Sequence, residues 1–82
     1  MKIQKIFESE EIVDYLQKRN LMKQYKKVKN YILLWYLQNA ALKLREPKED
    51  GVYYFRINKQ FRAHGIIKNN EFYVLEIDNH QN

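Results

Sequence analysis

Eighty-two residues are enough for one compact domain and too few for a second core, because a chain this short buries only about 60 to 65% of the surface its unfolded form exposes. Fifteen Lys and Arg against ten Asp and Glu leave a formal charge of +5, so nucleic acid or another polyanion is the first partner to consider. The absence of cysteine excludes a disulfide framework and a Cys-based zinc site, and the two histidines, His64 and His80, make a poor metal set, so neither metal nor cofactor is expected. No apolar run approaches the roughly 18 residues needed to cross a bilayer, and the start of the chain turns acidic at Glu8, which reads as a cytoplasmic protein with no membrane partner.

Taken in chain order, Lys2 to Phe7 fits a short strand. Ser9 supplies an N-cap oxygen, and Glu10 and Glu11 follow in the first turn, where carboxylates favour the positive end of the helix dipole. Ile12, Val13 and Leu16 form the apolar stripe of this first helix, and the break around Asn20 is the expected hinge of a helical hairpin, with one continuous bent helix as the alternative. Met22, Tyr25, Val28, Ile32, Tyr36 and Ala40 then recur at three- and four-residue steps, which predicts a longer second helix from about Leu21 or Met22 to about Leu44. Tyr31, Trp35 and Tyr36 on this helix are expected to pack in the core. The segment REPKEDG, residues 45 to 51, holds the only proline and reads as the loop leaving the helices. Val52 to Ile57, Phe61 to Ile67 and Phe72 to Asp78 are rich in β-branched and aromatic residues and read as strands.

Faces follow from the period of two. Tyr53, Phe55 and Ile57 share one face and Tyr54 and Arg56 the other; Phe61, Ala63 and Ile67 likewise oppose Arg62 and His64. A three-residue loop pairs Ile57 with Phe61 and Arg56 with Arg62, keeping core and charge apart, so an odd loop is expected. The same parity at the last hairpin places Tyr73, Leu75 and Ile77 on the apolar face and Phe72, Val74, Glu76 and Asp78 with the arginines, so a bulge or an added residue is expected near Asn69-Asn70. Arg56 facing Arg62 needs either a carboxylate, Glu76 or Asp78, or an external anion such as phosphate, whose oxygens match a guanidinium fork.

The order strand, helical hairpin, charged loop, then "VYYFRINKQFRAHGII" and "FYVLEIDNHQ" resembles the toxins of the RelE/ParE superfamily of type II toxin-antitoxin pairs. The tripeptide Arg56-Ile57-Asn58, with Arg62 shortly after it, resembles the HigB and YoeB branches, and the resemblance covers nearly the whole chain, residues 1–82 as one RelE-like domain. It implies an α+β fold: an N-terminal strand, a helical hairpin packed on one face of a mainly antiparallel four-stranded sheet, in the order β-α-α-β-β-β. It further implies a metal-independent, ribosome-dependent mRNA endoribonuclease, in which a ribose 2'-hydroxyl attacks the adjacent phosphorus and leaves a 2',3'-cyclic phosphate, with a cognate antitoxin, the ribosome and mRNA as partners.

By that resemblance Arg62, helped by Arg56, stabilises charge on the phosphate and His80 protonates the leaving oxygen, an exchange suited to an imidazole, which titrates near about 6.5 when free. Glu46 is the first choice of base and Glu49 the second. The RNA contacts would be Lys18, Arg19, Lys23, Lys26, Lys27, Arg45, Lys48, Tyr54 and Lys59; for the helix lysines the alternative is a solvated face. Gln81 stands where some relatives have a tyrosine after the histidine. His64 is read as a strand histidine bonded to a neighbour, and two other functions remain open: a ParE-like gyrase inhibitor and a non-catalytic RNA-binding module.

Overall fold

The computed structural model describes residues 2–34 and 41–80. Among the described residues, α1 (Glu10–Lys18) and α2 (Met22–Leu33) cover one face of a five-stranded sheet. Its strands are β1 (Lys5–Phe7), β2 (Lys43–Leu44), β3 (Val52–Arg56), β4 (Phe61–Lys68) and β5 (Glu71–Asn79), arranged β1-β5-β4-β3-β2. All neighbours are antiparallel except β1 and β5, which run parallel.

Ser9 caps α1: its hydroxyl accepts from the Ile12 amide at 3.3 Å, which satisfies one of the orphan donors of the first turn. The hairpin hinge falls at Asn20, in the left-handed region at φ 56°, a conformation that asparagine tolerates better than most residues. Ile12 and Leu16 of α1, Leu21 at its junction and Tyr25 and Ile32 of α2 are buried against Phe55, Ile57, Ala63, Phe72 and Val74 of the sheet. The Tyr25 ring lies 5.9 Å from Phe55, and its hydroxyl donates to Glu8, which also pairs with Lys29 at 2.9 Å. Burial first, and the Glu8 bond second, raise the Tyr25 phenol far above its ordinary value, so it stays a neutral donor.

The second helix is shorter than its apolar spacing predicts. It ends at Leu33, and Lys43 and Leu44 pair with Tyr54 and Tyr53 of β3, giving five strands where four are expected. The edge of β3 accounts for Lys43 and Leu44: its outward amides and carbonyls need partners, and these two residues supply them. Tyr31 is 48% exposed, contrary to a core role. The readings for Trp35, Tyr36 and Ala40 lie outside the described residues.

Two turns set the register. In the β3–β4 connection, Asn58 Oδ1 accepts from the amides of Gln60 and Phe61, both at 2.8 Å, and the Ile57 amide donates to the Phe61 carbonyl. Ile57 therefore pairs with Phe61, and Arg56 stands opposite Arg62, as the parity of the apolar pattern requires. The β4–β5 turn differs from expectation. Asn69 and Asn70 form a two-residue turn with φ 54° and 64°, the positive pair that a tight hairpin needs, so Lys68 faces Glu71 directly.

The extra residue sits further along. The β4–β5 register shifts between His64 and Gly65, which oppose Glu76 and Val74, so Leu75 is a bulge, 59% exposed. Before it Phe72 and Val74 are buried in the helix-facing core, correcting their expected place beside the arginines, while Tyr73 stacks on Phe7 on the open face at 5.2 Å. After it the parity is the expected one: Ile77 pairs with Ala63, and Glu76 and Asp78 face His64 and Arg62. Burying Phe72 and Val74 is worth about 1.5 to 3 kcal/mol each, which places the bulge after them.

The bulged strand approaches Gly65 so closely that a Cβ there would stand 2.0 Å from the Tyr73 carbonyl oxygen. Gly65→Ala should therefore destabilise the fold by about 3 kcal/mol, the range for overpacking against backbone. Urea unfolding checks this, and a midpoint equal to that of the wild type would mean that the strands do not approach in this way.

Candidate active site

The face of the sheet away from the helices carries Tyr54, Arg62, His64, Glu76 and Asp78 on β3, β4 and β5, because these positions share one side of the pleat and all lie on the same side of the bulge. Arg45 joins them from the segment after β2, held by its amide donating to the Val52 carbonyl at 2.7 Å. His80 follows β5 directly, and its amide donates to the Gln60 carbonyl at 2.6 Å, which ties the end of the strand to the β3–β4 loop. Gln60 and Asn79 add a side-chain bond of 2.9 Å across the same junction.

His64 is the centre of this surface and is only 5% exposed. Its ring stacks on Tyr54 with centroids 5.6 Å apart, and its Nδ1 lies 3.2 Å from Arg45 Nη1. A guanidinium is always a donor, so Nδ1 is the unprotonated acceptor and the ring proton of the neutral imidazole sits on Nε2. Nε2 has no hydrogen-bond partner among the described residues; Asp78 Oδ2 is 3.7 Å away. The same oxygen lies 3.8 Å from His80 Nδ1. Burial lowers the His64 pKa below the ordinary histidine value; Arg45 adds to this, Asp78 and Glu76 oppose it, and Arg62 lowers it a little further.

Arg62 is half-buried and open to this face. Its guanidinium lies 5.0 Å above the Tyr54 ring, and no carboxylate pairs with it among the described residues. Glu76 lies 3.8 Å from Arg45 instead, and Asp78 faces the two histidines, so the expected rivals for Arg62 are engaged elsewhere. Arg56, exposed and opposite Arg62 in register, lines a cleft of about 470 Å3 with Val28, Ala41, Lys43 and Tyr54. No group of three or more metal-ligating side chains converges among the described residues.

Other expected site residues are scattered. Glu46 is exposed at the cis peptide bond to Pro47 and makes no ion pair among the described residues; Lys48 and Glu49 are exposed in a short 3-10 turn, and Lys59 is exposed in the β3–β4 loop. Lys18 pairs with Asp14 at 2.9 Å and Arg19 lies 3.6 Å over the Tyr15 ring, so both serve α1. Lys23, Lys26 and Lys27 are exposed on α2, in the helical layer and therefore across the sheet from Arg62. The sequence reading undervalued His64. The signal was its place two residues after Arg62 on the polar face of β4, but only the fold reveals its contacts with Arg45 and Asp78.

No family model and no curated protein matches the chain. Among solved structures it is similar to the YoeB-YefM complex from Staphylococcus aureus, with a TM-score of 0.59 and 21% identity over 99% of this chain and 100% of that one. The fold is that of a YoeB/RelE-like toxin. In this YoeB-like fold the polar face described above lies opposite the helical hairpin, and its charged groups stand on consecutive strands. No helix among the described residues is long and apolar enough to cross a membrane.

The lowered His64 pKa gives a test of the buried imidazole. The unfolded chain takes up this proton near about pH 6.5 and the folded chain only at lower pH, so the unfolded state binds more protons in between and stability falls as pH drops below about 6.5. Above that pH the contribution vanishes. Unfolding midpoints measured from about pH 7.5 to about 5.5 should fall more for the wild type than for His64→Gln; equal falls in the two proteins would assign the proton uptake to another group.

Proposed function

We propose that this chain is the toxin of a type II toxin-antitoxin pair and that it cleaves mRNA on the ribosome without a metal. The observation that carries the reading is Arg62, open on the polar face without a carboxylate partner among the described residues, while Asp78 links His64 and His80 beside it. An unneutralised guanidinium next to an imidazole suits a phosphate that gains charge as it reacts. The YoeB-like fold supports the toxin assignment, and the presence of YefM in that solved structure supports a protein antitoxin as partner.

In the reaction, the ribose 2'-oxygen bonds to the adjacent phosphorus as the bond to the 5'-oxygen breaks. His80 gives its proton to the leaving oxygen, and Arg62, with Arg56 across the strand pair, stabilises the non-bridging oxygens. The 2'-hydroxyl proton goes to a carboxylate base. Glu46 is assigned this role: it follows Arg45, whose guanidinium contacts His64, and it is exposed and free of ion pairs among the described residues. Tyr54, stacked on His64, offers a surface for a base. Arg45, Lys48 and Lys59 would contact RNA around this face, and Lys23, Lys26 and Lys27 would reach ribosomal RNA phosphates from the helical side. For Lys18 and Arg19, which already serve α1, such a contact is a secondary use.

Induction in cells followed by mapping of RNA 5' ends tests the proposal, with cuts expected inside translated codons. Arg62→Ala should lower cleavage by about 10²- to 10³-fold and His80→Ala by about 10²- to 10⁴-fold, relieving growth inhibition with unchanged circular dichroism. Intact mRNA with arrested gyrase would replace this reading by the gyrase one. RNA binding without any cleavage product would leave a non-catalytic module.

A further inference from the structure

Four side chains on the polar face form a line: Arg45 Nη1 to His64 Nδ1 at 3.2 Å, His64 Nε2 to Asp78 Oδ2 at 3.7 Å, and Asp78 Oδ2 to His80 Nδ1 at 3.8 Å. The line has a direction. Arg45 can only donate, which makes His64 Nδ1 an acceptor and puts the ring proton on Nε2, aimed at Asp78. An ionised carboxylate can only accept, so the proton between Asp78 and His80 belongs to His80 Nδ1. His80 Nε2 is then left for whatever lies on the open face.

We infer that Arg45, His64 and Asp78 are positioning residues that hold the Nδ1 proton of His80 on Asp78, so that the second proton of the charged ring sits on Nε2 toward the open face and the neutral ring left after its donation is the Nδ1–H tautomer. The inference rests on the reading of His80 as the proton donor of the proposed reaction. It accounts for the one buried side-chain nitrogen without a partner among the described residues, His64 Nε2, whose hydrogen faces the carboxylate it is there to hold. Separations of 3.7 and 3.8 Å are compatible with this role, because hydrogen bonds around a catalytic group commonly reach their short form only in the reacting complex. Two anchors keep the ends in place: the Arg45 amide on Val52 and the His80 amide on Gln60.

Nitrogen-15 NMR of the histidine rings at about pH 8 reads the tautomer directly, without reference to activity. A free neutral imidazole prefers the proton on Nε2, so a His80 ring protonated on Nδ1 in the wild type is the expected result, and one protonated on Nε2 overturns the inference. Asp78→Ala should move the His80 proton to Nε2; no movement overturns it. At position 64, Gln can still present an N–H toward Asp78, whereas Asn can accept from Arg45 but cannot reach the carboxylate. His64→Gln should keep the wild-type tautomer and His64→Asn should lose it in part; identical spectra for the two remove His64 from the line. Asp78→Ala should also lower mRNA cleavage by about 10- to 100-fold, the range for groups that orient an imidazole. Cleavage that needs His80 but a tautomer indifferent to Asp78 would sink the positioning line alone, while the expected tautomers without any cleavage would sink the nuclease reading alone.

Discussion

The polar face depends on one extra residue in β5. Phe72 and Val74 must face the helices to close the core, whereas Glu76 and Asp78 must not, and alternation along an uninterrupted strand would put all four on the same side. Leu75 breaks the alternation. Burying either carboxylate under α1 and α2 would cost on the order of several kcal/mol, so the bulge is a constraint imposed by the composition of the strand. Gly65 is its counterpart on β4, since only a residue without Cβ lets the Tyr73 carbonyl come so near.

Once the bulge has turned Glu76 and Asp78 outward, the charges sort themselves by geometry. Three positive groups, Arg45, Arg56 and Arg62, and two histidines share the surface with these two carboxylates. Arg45 lies within ion-pair reach of Glu76, and Asp78 lies between the imidazoles, which leaves Arg62 over the Tyr54 ring with its guanidinium free of carboxylates among the described residues. A surface rich in basic groups that leaves an arginine unneutralised attracts anions at long range and holds them at short range. Burial of His64 sets the protonation pattern, because a neutral ring with a fixed donor and acceptor can link an arginine to a carboxylate where a charged one would repel the arginine.

The basic residues of the helices belong to a different surface. Lys29 is taken by Glu8, and Lys18 and Arg19 have partners within α1, so much of the charge concentrated in the middle of the sequence stabilises the helical hairpin. Exposed pairs such as Lys18 with Asp14 are worth little, within about 1 kcal/mol. Lys23, Lys26 and Lys27 remain exposed, and the sheet separates them from Arg62.

The sequence by itself determined the order of the elements and each of the described helices and strands except β2. Ser9 and the apolar stripe of α1 mark a helix start, Asn20 marks the hinge, and the alternation from Val52 to Ile67 sets the pairing of Arg56 with Arg62, because each of these signals is local and reports a backbone period or a cap. Only the tertiary structure decided where the alternation breaks, that Lys43 and Leu44 leave the helical pattern to cover the edge of β3, and that His64 and His80 share Asp78. Asn69-Asn70 supports a tight turn and therefore could not hold the extra residue, so the parity conflict in β5 had to be resolved by packing against the helices, which no local pattern records. The contacts around His64 join residues up to 19 positions apart, and they exist because the sheet brings β4, β5 and the segment after β2 together on one face.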